Sequence, residues 1–220
     1  MASPRSNIVY VLVGAAVFIE YRRRVPPLQR DVIFYAFCIN TILTGITSGW
    51  FHATLIYTAQ KADEFFENAA VLSLMYFHIM RKGGGRPASK RYFIYSLHVT
   101  LLAIGVLCVP EVFCEVHLIL IVLVCFGRAL YTIKSLPDGS AKTGIRSQFT
   151  KSFTAAGVSF AFWLVDFLLC SSFVRSLNLH AFCWHFGTAA ALLWGGTGSM
   201  ELGLEVWAKK RGVEGSYKSG

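Results

Sequence analysis

Apolar residues in this chain run in blocks, with polar residues gathered between them rather than alternating within them. Seven such blocks stand out, at 8–21, 32–56, 63–80, 92–109, 112–133, 153–173 and 179–207. A helix needs roughly 20 residues to cross a bilayer core, within a usual range of about 17–25, so each block predicts a transmembrane helix. The first is the shortest. Only Arg5 precedes it and a basic cluster follows it, the reverse of the charge order of a cleaved signal peptide, so it is read as a true span. The predicted fold is an all-α seven-helix bundle over residues 1–208, followed by a short basic tail at 209–220.

The polar segments add an orientation. Arg22, Arg23, Arg24 and Arg30 follow the first block, and Arg81, Lys82, Arg86, Lys90 and Arg91 follow the third. Lys134, Lys142, Arg146 and Lys151 follow the fifth, and Lys209, Lys210, Arg211 and Lys218 follow the seventh. Seventeen of the 21 lysines and arginines thus fall on one side, while Arg5, Lys61 and Arg175 fall on the other and Arg128 lies inside the fifth block. Such segregation requires an odd number of spans. The excess of basic residues in cytoplasmic loops predicts a lumenal or extracellular N-terminus and a cytosolic C-terminus.

Composition agrees with lipid as the solvent: 55% of residues are hydrophobic and 15% charged, with a mean hydropathy of +0.52. A soluble domain carries about 25% charged residues. The net charge of +9 is spread over loops rather than gathered in one patch, so no nucleic-acid partner is expected. Six scattered cysteines, none in a C-x-x-C pair, argue against a zinc-thiolate site; a single disulfide among Cys108, Cys114 and Cys170 is left open. Gly83, Gly84 and Gly85 lie in a basic loop and read as a flexible linker.

Ionisable groups inside spans are expensive and mark function. Ser48 and His52, four apart near the end of the second block, share one helical face. Asp63 opens the third block, and His180 and His185 open the seventh. By the topology above all five sit at the non-cytosolic face. Three histidines and a carboxylate at one depth suit zinc held by three nitrogens with a position left for water. Glu67, one turn after Asp63, is expected to line the same cavity, and Glu64 to face elsewhere. His78, His98 and His117 read as interfacial or hydrogen-bonded residues. Asp166 and Glu201 are further intramembrane acids, with Arg128 or polar groups as partners for either.

The stretch from Ser48 to Leu55, Ser-Gly-Trp-Phe-His-Ala-Thr-Leu, followed by Gln60-Lys-Ala-Asp-Glu64, resembles the alkaline ceramidases, which carry a G-S-x-x-F-H-A-T-L block. The later run from Leu179 to His185, Leu-His-Ala-Phe-Cys-Trp-His, is similar to that family's second signature, H-A-x-W-H. The resemblance implies a seven-helix hydrolase of the ceramide amide bond, in a wider group that includes the adiponectin receptors. It implies zinc on His52, His180 and His185, with Ser48 and Asp63 beside the metal as catalytic residues. It also implies a ceramide or phytoceramide-type lipid as substrate, the bilayer as surroundings, and an endoplasmic reticulum or Golgi membrane as location.

This sequence departs from the family pattern twice. The family's late histidines are four apart; here they are five apart, an offset of roughly 140° on an ideal helix. A π-bulge would bring them together. So would a helix that starts after His180; otherwise one histidine is not a ligand and Trp184 takes its register. The family's acidic first segment, implicated in calcium binding, has no counterpart before Asn7, so either the sequence is truncated or calcium is dispensable. Two other classes stay open: a seven-helix receptor or scaffold with a structural metal, and a transporter resting on Asp166, Glu201 and Arg128.

Overall fold

The structure is a computed structural model that describes residues 4–82, 88–108, 112–169 and 183–210. The described residues form seven α-helices and no strand: α1 (Ile8–Arg24), α2 (Val32–Thr54), α3 (Tyr57–Lys82), α4 (Ala88–Cys108), α5 (Val112–Lys134), α6 (Ser140–Leu169) and α7 (His185–Lys210). Short 3-10 turns at Pro4–Asn7 and Pro27–Gln29 precede α1 and α2.

Local chemistry sets the ends. Val25 leaves α1 in an extended conformation, as a residue before proline must, and Pro26 and Pro27 prevent the helix from continuing. Asp31 caps α2, its carboxylate accepting the Ile33 amide at 2.9 Å. At the far end Leu55 adopts the left-handed conformation (φ 55°) and its amide bonds the Phe51 carbonyl at 2.7 Å. That turn lets α3 begin only two residues after α2 ends.

The two-residue connection between α2 and α3 turns these helices antiparallel, as in up-and-down bundles. Contacts between distant segments define the two ends of the bundle. At one end Arg24 pairs with Glu201 at 3.1 Å, and Lys209 donates to the Ser135 carbonyl at 2.6 Å, so α1, α5 and α7 finish together. Glu201 therefore meets Arg24, whereas the pattern along the chain offered Arg128; the Arg128 guanidinium instead lies 5.8 Å from the Tyr131 ring centre. The Asp166 side chain lies outside the described residues. At the other end the starts of α1 and α7 meet the finish of α2.

α6 begins at Ser140, well before the predicted 153. The added turns are amphipathic: Ile145 and Phe149, four apart, bury against Ala129 and Ile133 of α5 and Leu202 of α7 while the lysines stay outside. α1 and α2 approach closely at two glycines. A methyl at Gly14 would meet the Cys38 carbonyl at 2.8 Å, and one at Gly45 would meet the Asn7 carbonyl at 2.8 Å. Close backbone approach through small residues is how membrane helices pack.

Three helical stretches, Val32–Thr54, Ser89–Cys108 and Phe113–Lys134, are long and apolar enough to cross a membrane. The outer surface is apolar as well: Leu12 and Ile19 on α1, Leu101 and Leu107 on α4, and Val158 and Phe162 on α6 are exposed. Large contiguous apolar surface on this scale needs lipid to cover it. This is the organisation of a membrane protein.

Candidate functional site

The last turns of α2 carry hydroxyls into an apolar setting. Thr41, Thr44 and Thr47 satisfy theirs by donating to carbonyls four residues back, at 2.8–2.9 Å. Ser48 does something else. It is buried, and its hydroxyl bonds the Asp63 carboxylate across the two-residue α2–α3 connection. One turn beyond Ser48, His52 reaches over to α7, where its Nε2 lies 3.2 Å from Nε2 of His185.

His185 is the first residue of α7 and is 2% exposed. The two described residues before it, Cys183 and Trp184, are π-helical. Whether the five-residue histidine spacing closes on one point turns on residues 180–182; these, His180 among them, lie outside the described residues. Nδ1 of His185 meets Ser6 Oγ at 2.9 Å, and its ring stands edge-on to Tyr10 with centroids 6.0 Å apart. Tyr10 in turn hydrogen-bonds Thr188.

The histidine pair borders a cavity of about 440 Å³. His52, Asp63, Glu67 and His185 all line it. Glu64 lines it too, contrary to the expectation that it faces elsewhere, but its oxygens are engaged by Lys61 at 2.8 Å and Gln60 at 3.0 Å. Much of the remaining lining is apolar, including Val122 and Phe126 of α5, Phe153, Phe160 and Trp163 of α6, and Trp184. The volume is that of a site for a small organic ligand, which ordinarily occupies about 300–1,000 Å³.

Two of the nitrogen donors stand at a spacing that zinc would accept. Two imidazole nitrogens bound to one tetrahedral zinc, each about 2.0–2.1 Å away, stand about 3.3 Å apart. His52 and His185 hold theirs at 3.2 Å, and His185 also has the partner on its other nitrogen that metal-binding histidines have. Among the described residues, no three histidine, cysteine or acidic side chains close on one point. Asp63 thus lines the cavity without joining the histidine pair in a closed ligand cluster.

The other histidines are tied into networks. His78 on α3 meets the Ser199 hydroxyl of α7 at 2.8 Å, where both are buried. His98 and His117 face each other at 3.2 Å between α4 and α5, with Tyr76 on one ring and Asn68 on the other. Cys108 and Cys114 are free thiols, and Cys170 lies outside the described residues. What the sequence did not disclose is Ser6. A serine just ahead of a helix reads as a cap, and nothing in its neighbourhood points 179 residues along the chain to His185.

The ceramidase family matches residues 3–206, nearly the whole chain. The chain belongs to the ceramidase family. A Dictyostelium discoideum protein named "Putative alkaline ceramidase dcd3A" is 27% identical over 167 residues, covering 68% of this chain and 58% of that protein. The chain thus spans about three-fifths of the length of the curated relative it matches. Within the family match lie both segments that resemble the alkaline ceramidase signatures, one on the final turns of α2 and one leading into α7. In this ceramidase-family chain the two signatures meet through the His52–His185 pair.

Proposed function

We propose that this protein is a zinc-dependent intramembrane amidohydrolase that cleaves ceramide to a sphingoid base and a fatty acid. The observation that carries the reading is the convergence of His52 and His185 in a cavity that Asp63 also lines and to which α5 and α6 contribute many aliphatic and aromatic side chains. Ceramide presents both kinds of group, an amide and hydroxyls at one end and two hydrocarbon chains at the other. Family membership supports the reaction class.

His52 and His185 would hold the metal, with His180 as the third ligand implied by the family resemblance. Zinc in such a site supplies a Lewis acid for the amide carbonyl and lowers the pKa of water toward neutrality. Asp63 lies in the cavity wall, fixed in orientation by Ser48. It takes the proton of the attacking water and returns it to the amine that leaves as the C–N bond breaks. Water's oxygen ends in the fatty acid and its two protons are shared between the products. The α5 and α6 aromatics bury the hydrocarbon chains and exclude water from the rest of the cavity.

In the membrane, the seven helices would stand with the site at the lumenal or extracellular face and the basic ends of α1, α3, α5 and α7 in the cytosol. The endoplasmic reticulum and Golgi are the membranes proposed.

The test is to purify the chain in detergent, quantify bound metal, and follow sphingoid base released from ceramides of varied acyl length, with and without calcium. About one zinc per chain and ceramide-dependent release are expected. Asp63→Asn should keep the zinc and lower turnover by about 10²–10⁴-fold, the usual contribution of general acid–base catalysis. Zinc bound without hydrolysis under any condition would overturn the enzyme reading in favour of a scaffold with a structural metal.

A further inference from the structure

We propose that Ser6 is a positioning residue for metal binding. Its hydroxyl oxygen accepts the Nδ1 proton of His185, so that Nε2 of that ring is unprotonated where it meets His52. The proposal rests on the zinc reading above and assigns the group that prepares one of its ligands.

A neutral imidazole carries one proton, on either nitrogen. With the proton on Nε2, His185 presents N–H toward the metal position and cannot ligate. With the proton on Nδ1 it can, and the hydrogen bond made by the other nitrogen biases the choice. A serine hydroxyl can take either role, and in the proposed arrangement Ser6 accepts. Ser6 Oγ is 2.9 Å from Nδ1, and the ring is 2% exposed, so bulk water does not set the tautomer.

A second contact one turn away holds Ser6 in register. Thr188 already spends its hydroxyl proton on the Trp184 carbonyl at 2.6 Å, so Tyr10 donates to Thr188 rather than the reverse. Ser6 and Tyr10 are four apart, and their partners His185 and Thr188 are three apart. The 3-10 turn and first turn of α1 therefore grip the first turn of α7 at two points on one face. Tyr10 is 2% exposed, which locks this grip into the core. The family signatures on α2 and α7 supply the ligands; the stretch before α1, outside both signatures, orients one of them.

Two measurements on the full chain in detergent test this. The first is zinc affinity by competition with a chromogenic chelator. Ser6→Ala should weaken it by about 10–100-fold, the usual effect of removing a ligand's hydrogen-bond partner, and Ser6→Thr, which keeps the hydroxyl, should restore it. The second is the ¹⁵N shift pattern of histidine-labelled metal-free protein, assigned with His185→Gln. His185 should carry its proton on Nδ1 in the wild type and shift toward Nε2 in Ser6→Ala.

Equal zinc affinity in wild type and Ser6→Ala overturns this proposal alone. So does an Nε2-protonated His185 in the wild type, a reading that needs no variant to fold. A weakened Ser6→Ala that Ser6→Thr does not rescue overturns it as well, since packing rather than the hydroxyl is then responsible. A wild-type chain that binds no zinc overturns the proposed function, and the role given to Ser6 falls with it.

Discussion

Leu55 is the one described residue other than glycine with a positive φ, and it stands at the hinge of the site. A left-handed backbone costs a residue with a Cβ roughly 1–2 kcal/mol. Glycine at a helix C-terminus escapes that cost, so Leu55→Gly should raise the unfolding free energy by about 1 kcal/mol, read as a higher Tm in detergent. Leu55 is well exposed, so little packing is lost in exchange. A lower Tm would show that the turn is not strained. The strain has a positional consequence: it reverses the chain fast enough for Ser48 and Asp63, fifteen positions apart, to bond. Of the site residues, Ser48, His52 and Asp63 stood out because their spacings are local, one helical turn and one tight reversal. His185 stood out through its depth at the same predicted membrane face and through its signature, and the structure brings it to His52. Ser6 was not legible at all, because a contact across the whole chain leaves no local pattern.

At the scale of elements, α1 and α2 lie close enough for the Gly14 and Gly45 backbones to touch their neighbours. Gly14→Ala should gain about 1 kcal/mol from better helix propensity. It should lose about 1–3 kcal/mol because the new methyl meets a backbone carbonyl, which cannot rotate away. A net loss in thermal stability is expected; an increase would mean that the two helices separate without penalty. The helices themselves could be read from apolar blocks, since six of the seven described helices begin within six residues of the first residue of their block. α6 was the exception. Its first turns, with Lys142, Arg146 and Lys151, are too polar for lipid and were read as loop, yet Ile145 and Phe149 find apolar partners on α5 and α7. Tertiary burial of one narrow face outweighed the composition of the segment.

For the whole molecule, the basic segregation yields a labelling prediction. A cysteine placed at Ile56 in a cysteine-free background should react with an impermeant maleimide from the lumenal or outer side of sealed vesicles, and one at Asp138 only from the cytosolic side. Both reacting from one side would break the up-and-down reading of the membrane. Metal removal offers a second measurement, because the proposed ligands on α2 and α7 would join opposite ends of the chain. Zinc at 100 times its dissociation constant adds about 2.7 kcal/mol to the folded state. A strong chelator should therefore lower the Tm, and added zinc should recover it. A Tm indifferent to chelation would count against a metal bound between these helices.

The sequence by itself determined the helical class, the number of apolar blocks and the side on which charge collects. Each of these depends on what a stretch of chain does in lipid, a property that local composition carries. It also marked Ser48, His52, Asp63 and His185, through spacing and through resemblance. Only the tertiary structure decided that the nitrogens of His52 and His185 meet at 3.2 Å, that Glu201 pairs with Arg24, and that the chain ahead of α1 folds over His185. These are contacts between segments more than a hundred residues apart. Their existence depends on how seven helices pack side by side, which no single stretch of the chain encodes.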